Sequence, residues 1–271
     1  MTFVFVIVSG EEETITDASW SLRMVFYGRK ASITSFPYFV AVESRWVGQI
    51  GGGSIISQRF VITAAHVFDP LRSARNYLIR AGSDLPNKGG SKHSLEYFEI
   101  HPKYVSDDGA GGTINDIALA RVETPFKFDN TRKPIPLYNF TEKIKTGTPA
   151  TVVGLGYTEK GLPNQLRSTT VFIADKAKCH KAWTQVGSVS IPKNSLCAGD
   201  GNSKRDTCNG DSGGPLVVNG SLVGITSFGF ARIDKFTGEI ECGHPKFPGV
   251  YTEVSKFHSW IKKHLEPSDE E

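Results

Sequence analysis

Short apolar or alternating runs, each broken within a few residues by Gly, Pro, Asn or Asp, fill most of the chain after about residue 36. Runs of this length suit strands and leave little room for helices. The clearest are Tyr38-Phe39-Val40-Ala41-Val42, Ser54-Ile55-Ile56, Phe60-Val61-Ile62-Thr63, Ile117-Ala118-Leu119-Ala120, Thr151-Val152-Val153-Gly154, Leu216-Val217-Val218 and Leu222-Val223-Gly224-Ile225. With 28 glycines and 14 prolines, turns are plentiful enough to separate many strands. The pattern predicts an all-β sandwich or barrel, with no internal repeat. One helix is expected, closing the chain: Val254, Phe257, Ile261 and Leu265 recur at spacings of three and four, with Trp260 beside them. Ser255, Lys256, Ser259, Lys262 and Lys263 take its other face, and Glu266-Pro267 ends it.

Length and charge exclude several classes. A chain of 271 residues allows one large domain or two small ones, and all-β folds often fill this length as one unit. The net charge of +3 comes without a Lys/Arg run, so no nucleic-acid partner is expected. No stretch approaches the ~20 apolar residues that a membrane span requires. Residues 1–10 are apolar but short and lack a basic start; they read as a truncated secretory signal, with an irregular or strand-forming N-terminus as the alternative. Cys179, Cys197, Cys208 and Cys242 all lie in the second half. An even count without CxxC spacing argues for disulfides over zinc, hence for an oxidising compartment. The sequons Asn139-Phe140-Thr141 and Asn219-Gly220-Ser221 agree with secretion, though such tripeptides are common by chance.

Three segments carry chemistry. The first is Cys208-Asn209-Gly210-Asp211-Ser212-Gly213-Gly214-Pro215. A serine hydroxyl is a weak nucleophile and needs an adjacent base, together with donors for the oxyanion it creates. Glycines around the serine let the backbone turn tightly and aim successive N–H groups at one spot, and Gly210 and Ser212 are placed to supply them. The second is Phe60-Val61-Ile62-Thr63-Ala64-Ala65-His66, a β-branched strand leading to one histidine suited to proton transfer near neutral pH. The third is Asn115-Asp116-Ile117-Ala118-Leu119-Ala120, an acid opening an apolar strand, where a half-buried carboxylate can fix an imidazole tautomer. Taken singly, each has an ordinary reading: a Gly-rich turn, a structural histidine, a turn acid.

The order His66, Asp116, Ser212, each in its own context, resembles the chymotrypsin/trypsin family of serine peptidases; the other common arrangements run in different chain orders. The resemblance covers roughly residues 24 to 266. It includes Phe36-Pro37-Tyr38, Gly52-Gly53-Ser54-Ile55-Ile56, Gly154-Leu155-Gly156, Asn194-Ser195-Leu196-Cys197-Ala198-Gly199 and Pro248-Gly249-Val250-Tyr251-Thr252. It implies two antiparallel six-stranded β-barrels with the catalytic residues between them, followed by a C-terminal α-helix. It further implies a secreted, monomeric endopeptidase made as a zymogen, with 11–24 as propeptide and 25–271 as the peptidase domain. Asp206, six before the serine, falls at the floor of the primary specificity pocket, with Gly229 and Gly249 on its walls. This predicts cleavage after Arg or Lys, since a buried carboxylate is costly unless paired. Ser227-Phe228-Gly229 resembles the segment that pairs with substrate as an added strand. Protein or peptide substrates, protease inhibitors and an activating protease are the implied partners, and no cofactor is expected. The alternative is a catalytically silent homologue kept for binding or regulation.

Four departures qualify the resemblance. Gly51 and Val67 stand where the family staples its histidine loop by a disulfide, leaving Cys179–Cys197 and Cys208–Cys242 as the implied bridges. Phe230 to Glu241 form an insertion where trypsins have only a few residues. Residues 83–88, Ser-Asp-Leu-Pro-Asn-Lys, lack the calcium-binding carboxylates of pancreatic trypsins, so no metal is expected. Val25-Phe26-Tyr27-Gly28 falls on the family's activated N-terminus, whose α-amine pairs with the acid before the serine, here Asp211. The only upstream base, Arg23, precedes Met24, one residue earlier than the family's cleavage point.

Overall fold

The short apolar runs form strands, some paired with their chain neighbours and others with strands further along, and all the pairings between named strands are antiparallel. The structure is a computed structural model and describes residues 28–69, 71–106, 112–138, 143–158, 164–185, 189–201, 205–233 and 240–265. The signal and propeptide readings, Arg23, Met24 and Val25, the sequon at Asn139 and the middle of the 230–241 insertion lie outside these residues. So does the acidic tail.

The first barrel is built from β2 (Phe39–Ser44), β3 (Gly48–Ile55), β4 (Phe60–Thr63), β5 (Tyr77–Ala81), β6 (Ser91–Ile100) and β7 (Ala118–Val122). It closes in the order β2-β3-β4-β7-β6-β5, a short strand β1 (Arg29–Lys30) lying outside it. Val40, Val42, Ile55, Ile62, Ile79 and Leu119 fill its interior. One polar pair is buried with them: Arg80 Nε donates to Glu43 Oε1 at 2.5 Å across the β2–β5 pairing, and Arg80 Nη1 reaches the Gly89 carbonyl at 2.6 Å. The guanidinium therefore anchors the end of the 82–90 turn.

The second barrel uses β8 (Pro149–Gly154), β9 (Arg167–Ile173), β10 (Ser195–Gly199), β11 (Pro215–Val218), β12 (Ser221–Phe228) and, after a separate hairpin β13 (Ala231–Ile233) and β14 (Ile240–Cys242), β15 (Gly249–Glu253). Its order is β9-β10-β15-β12-β11-β8, closed by β8–β9 pairing, and β1 adds to the outside of β9. Val152, Val171, Leu216, Val223 and Tyr251 make its core. The expected two-barrel architecture is thus present.

A one-turn helix α1 (Ala65–Phe68) follows β4. A helix not anticipated from the sequence, α2 (Lys176–Gln185), precedes β10. It buries only Cys179 and Trp183, four residues apart, which is too little for a readable apolar stripe. Its one local signal is Asp175, whose Oδ1 accepts the Lys178 N–H at 2.8 Å as an N-cap. The C-terminal segment begins as a 3-10 turn at Val254–Phe257 and continues as α3 (His258–Leu265). Although it follows the second barrel, its Val254, Phe257 and Ile261 join the core of the first.

The barrels meet along a flat strip made by the glycines of β3. Gly52 N donates to Ser212 O at 2.8 Å, and Thr63 Oγ1 caps the Gly52 carbonyl at 2.7 Å. A Cβ at Gly51 would lie 2.7 Å from the Ser212 carbonyl oxygen, and one at Gly52 would lie 3.2 Å from Gly214 Cα. Val67 fills the space beside Gly51, its Cγ2 lying 3.1 Å from that Cβ position, so apolar contact replaces the family's missing bridge. Gly51→Ala is expected to cost about 1–3 kcal/mol of stability, because backbone must move to admit the methyl. A denaturant midpoint unchanged from wild type would show that the strip is not tightly docked.

Candidate active site

His66 and Asp116 meet because of one strand pairing. In the antiparallel β4–β7 pair, Thr63 faces Ala118. His66 lies three residues beyond the end of one strand and Asp116 two residues before the start of the other, so both project from the same barrel end. Asn115, at φ 52°, turns the chain into β7, and its Nδ2 holds the Lys103 carbonyl at 2.5 Å. The imidazole Nδ1 lies 2.8 Å from Asp116 Oδ2, and the His66 backbone N–H donates to Asp116 Oδ1 at 2.9 Å. A carboxylate on Nδ1 places the proton there and leaves Nε2 as the free acceptor.

Asp116 is 1% exposed, and its charge is stabilised by neighbours on both barrels. Besides the two bonds from His66, Ser227 Oγ on β12 donates to Oδ2 at 2.5 Å. Thr252 Oγ1 on β15 donates to the Asp116 main-chain oxygen at 2.8 Å. Burial alone would raise the pKa of this carboxyl, yet His66 and the hydrogen bonds hold it below the ordinary carboxylate value. For His66, burial favours the neutral ring, but the Asp116 charge and hydrogen bond outweigh it and raise the imidazole above 6.5.

Ser212 lies in a loop shaped by glycines, Gly210 and Gly213 both at positive φ. Gly213 has φ 79°, and a Cβ there would lie 2.0 Å from Thr63 Oγ1 and 2.9 Å from Ala64 N. The Ser212 loop therefore rests directly on the chain leading into His66. Gly213 N donates to Thr226 O and Gly214 N to Asp211 O, both at 2.8 Å. Gly210, at φ 94°, turns the backbone before the serine, and its carbonyl accepts from Gln49 Nε2 at 3.3 Å. The Gly210 and Ser212 N–H groups donate to no protein acceptor among the described residues.

Two further carboxyls are buried here without a described cation. Asp211 Oδ1 accepts the Gly156 N–H at 2.8 Å and Oδ2 the Cys208 N–H at 3.0 Å. A Cβ at Gly154 would lie 1.9 Å from Oδ1 and one at Gly156 2.5 Å from the carboxyl carbon, so the Gly154-Leu155-Gly156 motif exists to admit this side chain. Burial pushes Asp211 up to about 6. Asp206, 2% exposed, accepts the Thr207 N–H at 2.8 Å and the Tyr251 hydroxyl at 3.4 Å, and burial pushes it up to about 7. A Cβ at Gly249 would lie 2.6 Å from Asp206 Oδ1, and one at Gly229 4.0 Å from Oδ2. Both glycines therefore face this acid. Arg205 pairs with Asp200 at 3.4 Å.

Both expected disulfides form, Cys179–Cys197 and Cys208–Cys242. The second joins the nucleophile loop to the root of the insertion, whose ends pair as the β13–β14 hairpin with Ala231 facing Cys242. Phe230 stacks on Phe247 with ring centres 5.7 Å apart, which fixes that root. Phe228 packs edge-on against Trp183 of α2 at 5.7 Å. Sequence reading missed Thr113, Tyr251 and Trp183 as contacts of site residues. Thr113 lay in a Gly-rich stretch without a pattern, Tyr251 was noted only within the 248–252 family match, and nothing around Trp183 singled it out.

The chain matches the Trypsin family model over residues 25–261. It is 35% identical to Trypsin epsilon of Drosophila erecta over 239 residues, covering 87% of this chain and 85% of that protein. Hypodermin-A of Hypoderma lineatum is 35% identical over 246 residues, with 88% and 86% covered. Among solved structures, neuropsin, a serine protease expressed in the limbic system of mouse brain, superposes with a TM-score of 0.74 at 30% identity, covering 88% of this chain and 99% of neuropsin. Together with the paired His66 and Asp116 facing the Ser212 loop, these likenesses establish that the chain belongs to the trypsin family and is a trypsin-like serine endopeptidase.

Proposed function

We propose that the protein cleaves peptide bonds after Arg or Lys, with Ser212 as nucleophile, His66 as general base and acid, and Asp116 as the carboxylate orienting the ring. The buried Asp206, walled by Gly229 and Gly249 and lacking a cationic partner among the described residues, carries the substrate assignment. Such a carboxylate is stabilised when a long cationic side chain enters, and a neutral side chain leaves it unpaired.

In this reading Ser212 Oγ attacks the scissile carbonyl carbon while His66 Nε2 takes its proton. The Gly210 and Ser212 N–H groups donate hydrogen bonds to the developing oxyanion. Collapse of the tetrahedral intermediate breaks the C–N bond, and Nε2 returns the proton to the leaving amine. Water then hydrolyses the acyl-enzyme with His66 again as base, and Asp116 stays ionised throughout. Ser227, Phe228 and Gly229 hold the substrate backbone as an added strand.

The enzyme is made as a zymogen and acts outside the cell as a monomer, with an activating protease and protein inhibitors as partners. Two disulfides support an oxidising compartment. Activation frees an α-amine at Met24 or Val25, which pairs with Asp211. The support is the chemistry of Asp211: two N–H donors, deep burial and a pKa near 6 describe a carboxylate awaiting a cation.

A panel of peptides ending in Arg, Lys, Phe or Ala before a reporter should show strong preference for Arg and Lys. Asp206→Ser should remove that preference while leaving hydrolysis after Phe, and Ser212→Ala should cut turnover on the order of 10⁴-fold or more. Preference for Phe in the wild type would discard the pocket assignment. With neutral substrates, kcat/KM should fall on acidification through a midpoint above 6.5, because only neutral His66 accepts a proton. The ratio of Arg to Phe kcat/KM cancels His66 and should rise as Asp206 ionises around 7; a flat ratio would exclude Asp206 from the pocket floor. N-terminal sequencing of the active enzyme should begin at Met24 or Val25, and full activity of the intact Met1 form would overturn the zymogen assignment.

A further inference from the structure

Ser227 is held from behind. Its hydroxyl donates to Asp116 Oδ2 at 2.5 Å, and the same Oγ lies 2.8 Å from Thr113 Oγ1. Thr113 is 3% exposed, and its Oγ1 also approaches Asp116 Oδ2, at 3.5 Å. A hydroxyl has one proton to donate. With the Ser227 proton committed to Asp116, the 2.8 Å contact requires Thr113 to be the donor. The order is therefore Thr113 to Ser227 to Asp116 to His66, every link buried or nearly so.

We propose that Thr113 is a positioning residue of the catalytic apparatus, holding the Ser227 hydroxyl so that it donates to Asp116 Oδ2. This rests on the assignment of His66 and Asp116 as base and orienting carboxylate. Its chemistry is that of a donor chain. Accepting a proton from Thr113 polarises the Ser227 hydroxyl and strengthens its donation. Without Thr113, the Ser227 proton can rotate away, leaving Oδ2 with one donor fewer. Two consequences follow. The carboxylate then attracts the imidazolium more strongly, which raises the His66 pKa. The ring is also less rigidly aimed at Ser212, which lowers kcat. Substrate binding is expected to be untouched, because Thr113 is buried and its short contact, at 2.8 Å, is with Ser227, whereas its own approach to Asp116 Oδ2 is a long 3.5 Å.

The test compares wild type with Thr113→Val, which keeps the shape and removes the hydroxyl, and with Thr113→Ser, which restores it. In Thr113→Val, kcat should fall about two- to tenfold, the range for one hydrogen bond, with KM unchanged. The acid limb of the pH profile should move to higher pH, and Thr113→Ser should recover both. Ser227→Ala and the Thr113→Val/Ser227→Ala double variant complete a cycle: the double variant should match Ser227→Ala alone, since the threonine acts through that serine. Additive losses would mean a merely structural role and would overturn the proposal, as would an unmoved pH profile. Proton NMR of the His66 Nδ1–H, titrated in inactive Ser212→Ala carrying the same substitutions, separates the two claims. A midpoint that rises with Thr113→Val supports the relay whatever the turnover, and one that stays fixed rejects it. Absence of any hydrolysis by the processed wild type rejects instead the catalytic roles on which it rests.

Discussion

The carboxylate of Asp116 is the joint on which both barrels depend. An ionised carboxyl withdrawn from water costs several kcal/mol unless its oxygens are fully bonded. Here the donors come from separate parts of the fold: the ring and backbone of His66 after β4, the Ser227 hydroxyl on β12 and, on its main-chain oxygen, Thr252 on β15. Neither barrel alone can satisfy it. The buried charge therefore also favours docking of the barrels in one register, because its full set of donors exists only when they are docked.

Asp206 and Asp211, equally buried, show the opposite electrostatics. Burial lowers neither acid; it raises Asp206 to about 7 and Asp211 to about 6. The sign of the linkage follows. A folded-state pKa above the unfolded value means that the fold is most stable with these groups protonated and loses stability as pH rises through that range. For Asp206, a displacement from 3.8 to about 7 corresponds to a penalty on the order of 4 kcal/mol at neutral pH. A stability-optimised chain would not retain such a group. In the proposed function, a cationic substrate side chain would offset this penalty at Asp206 and a freed α-amine would do so at Asp211.

How much of this was legible in the sequence depends on how local the signal was. The strands of both barrels were readable because each apolar run is bounded by its own turn residues, as in Phe60–Thr63 before Ala64-Ala65-His66. Gly213 and Gly249 were readable as family positions, but the reason for them is three-dimensional: a Cβ would collide with Thr63 in one case and with Asp206 in the other. Helix α2 was not readable, since two buried residues at one spacing look like noise. Thr113 was hidden for a deeper reason. Its partner Ser227 lies 114 positions away, on the other barrel, and nothing around either residue signals the pairing.

The same distance in sequence explains where this enzyme could change without losing its chemistry. The histidine loop dispenses with its staple because Val67 packs against Gly51 and the loop is already pinned by Gly52, Thr63 and Gly213. Covalent constraint is retained instead in the second barrel, where Cys208–Cys242 joins the nucleophile loop to the root of a long insertion. The bridge and the β13–β14 pairing together hold the root of the insertion in place. The first barrel can therefore rely on packing alone, whereas the pocket rim, which carries added chain, keeps its covalent anchor.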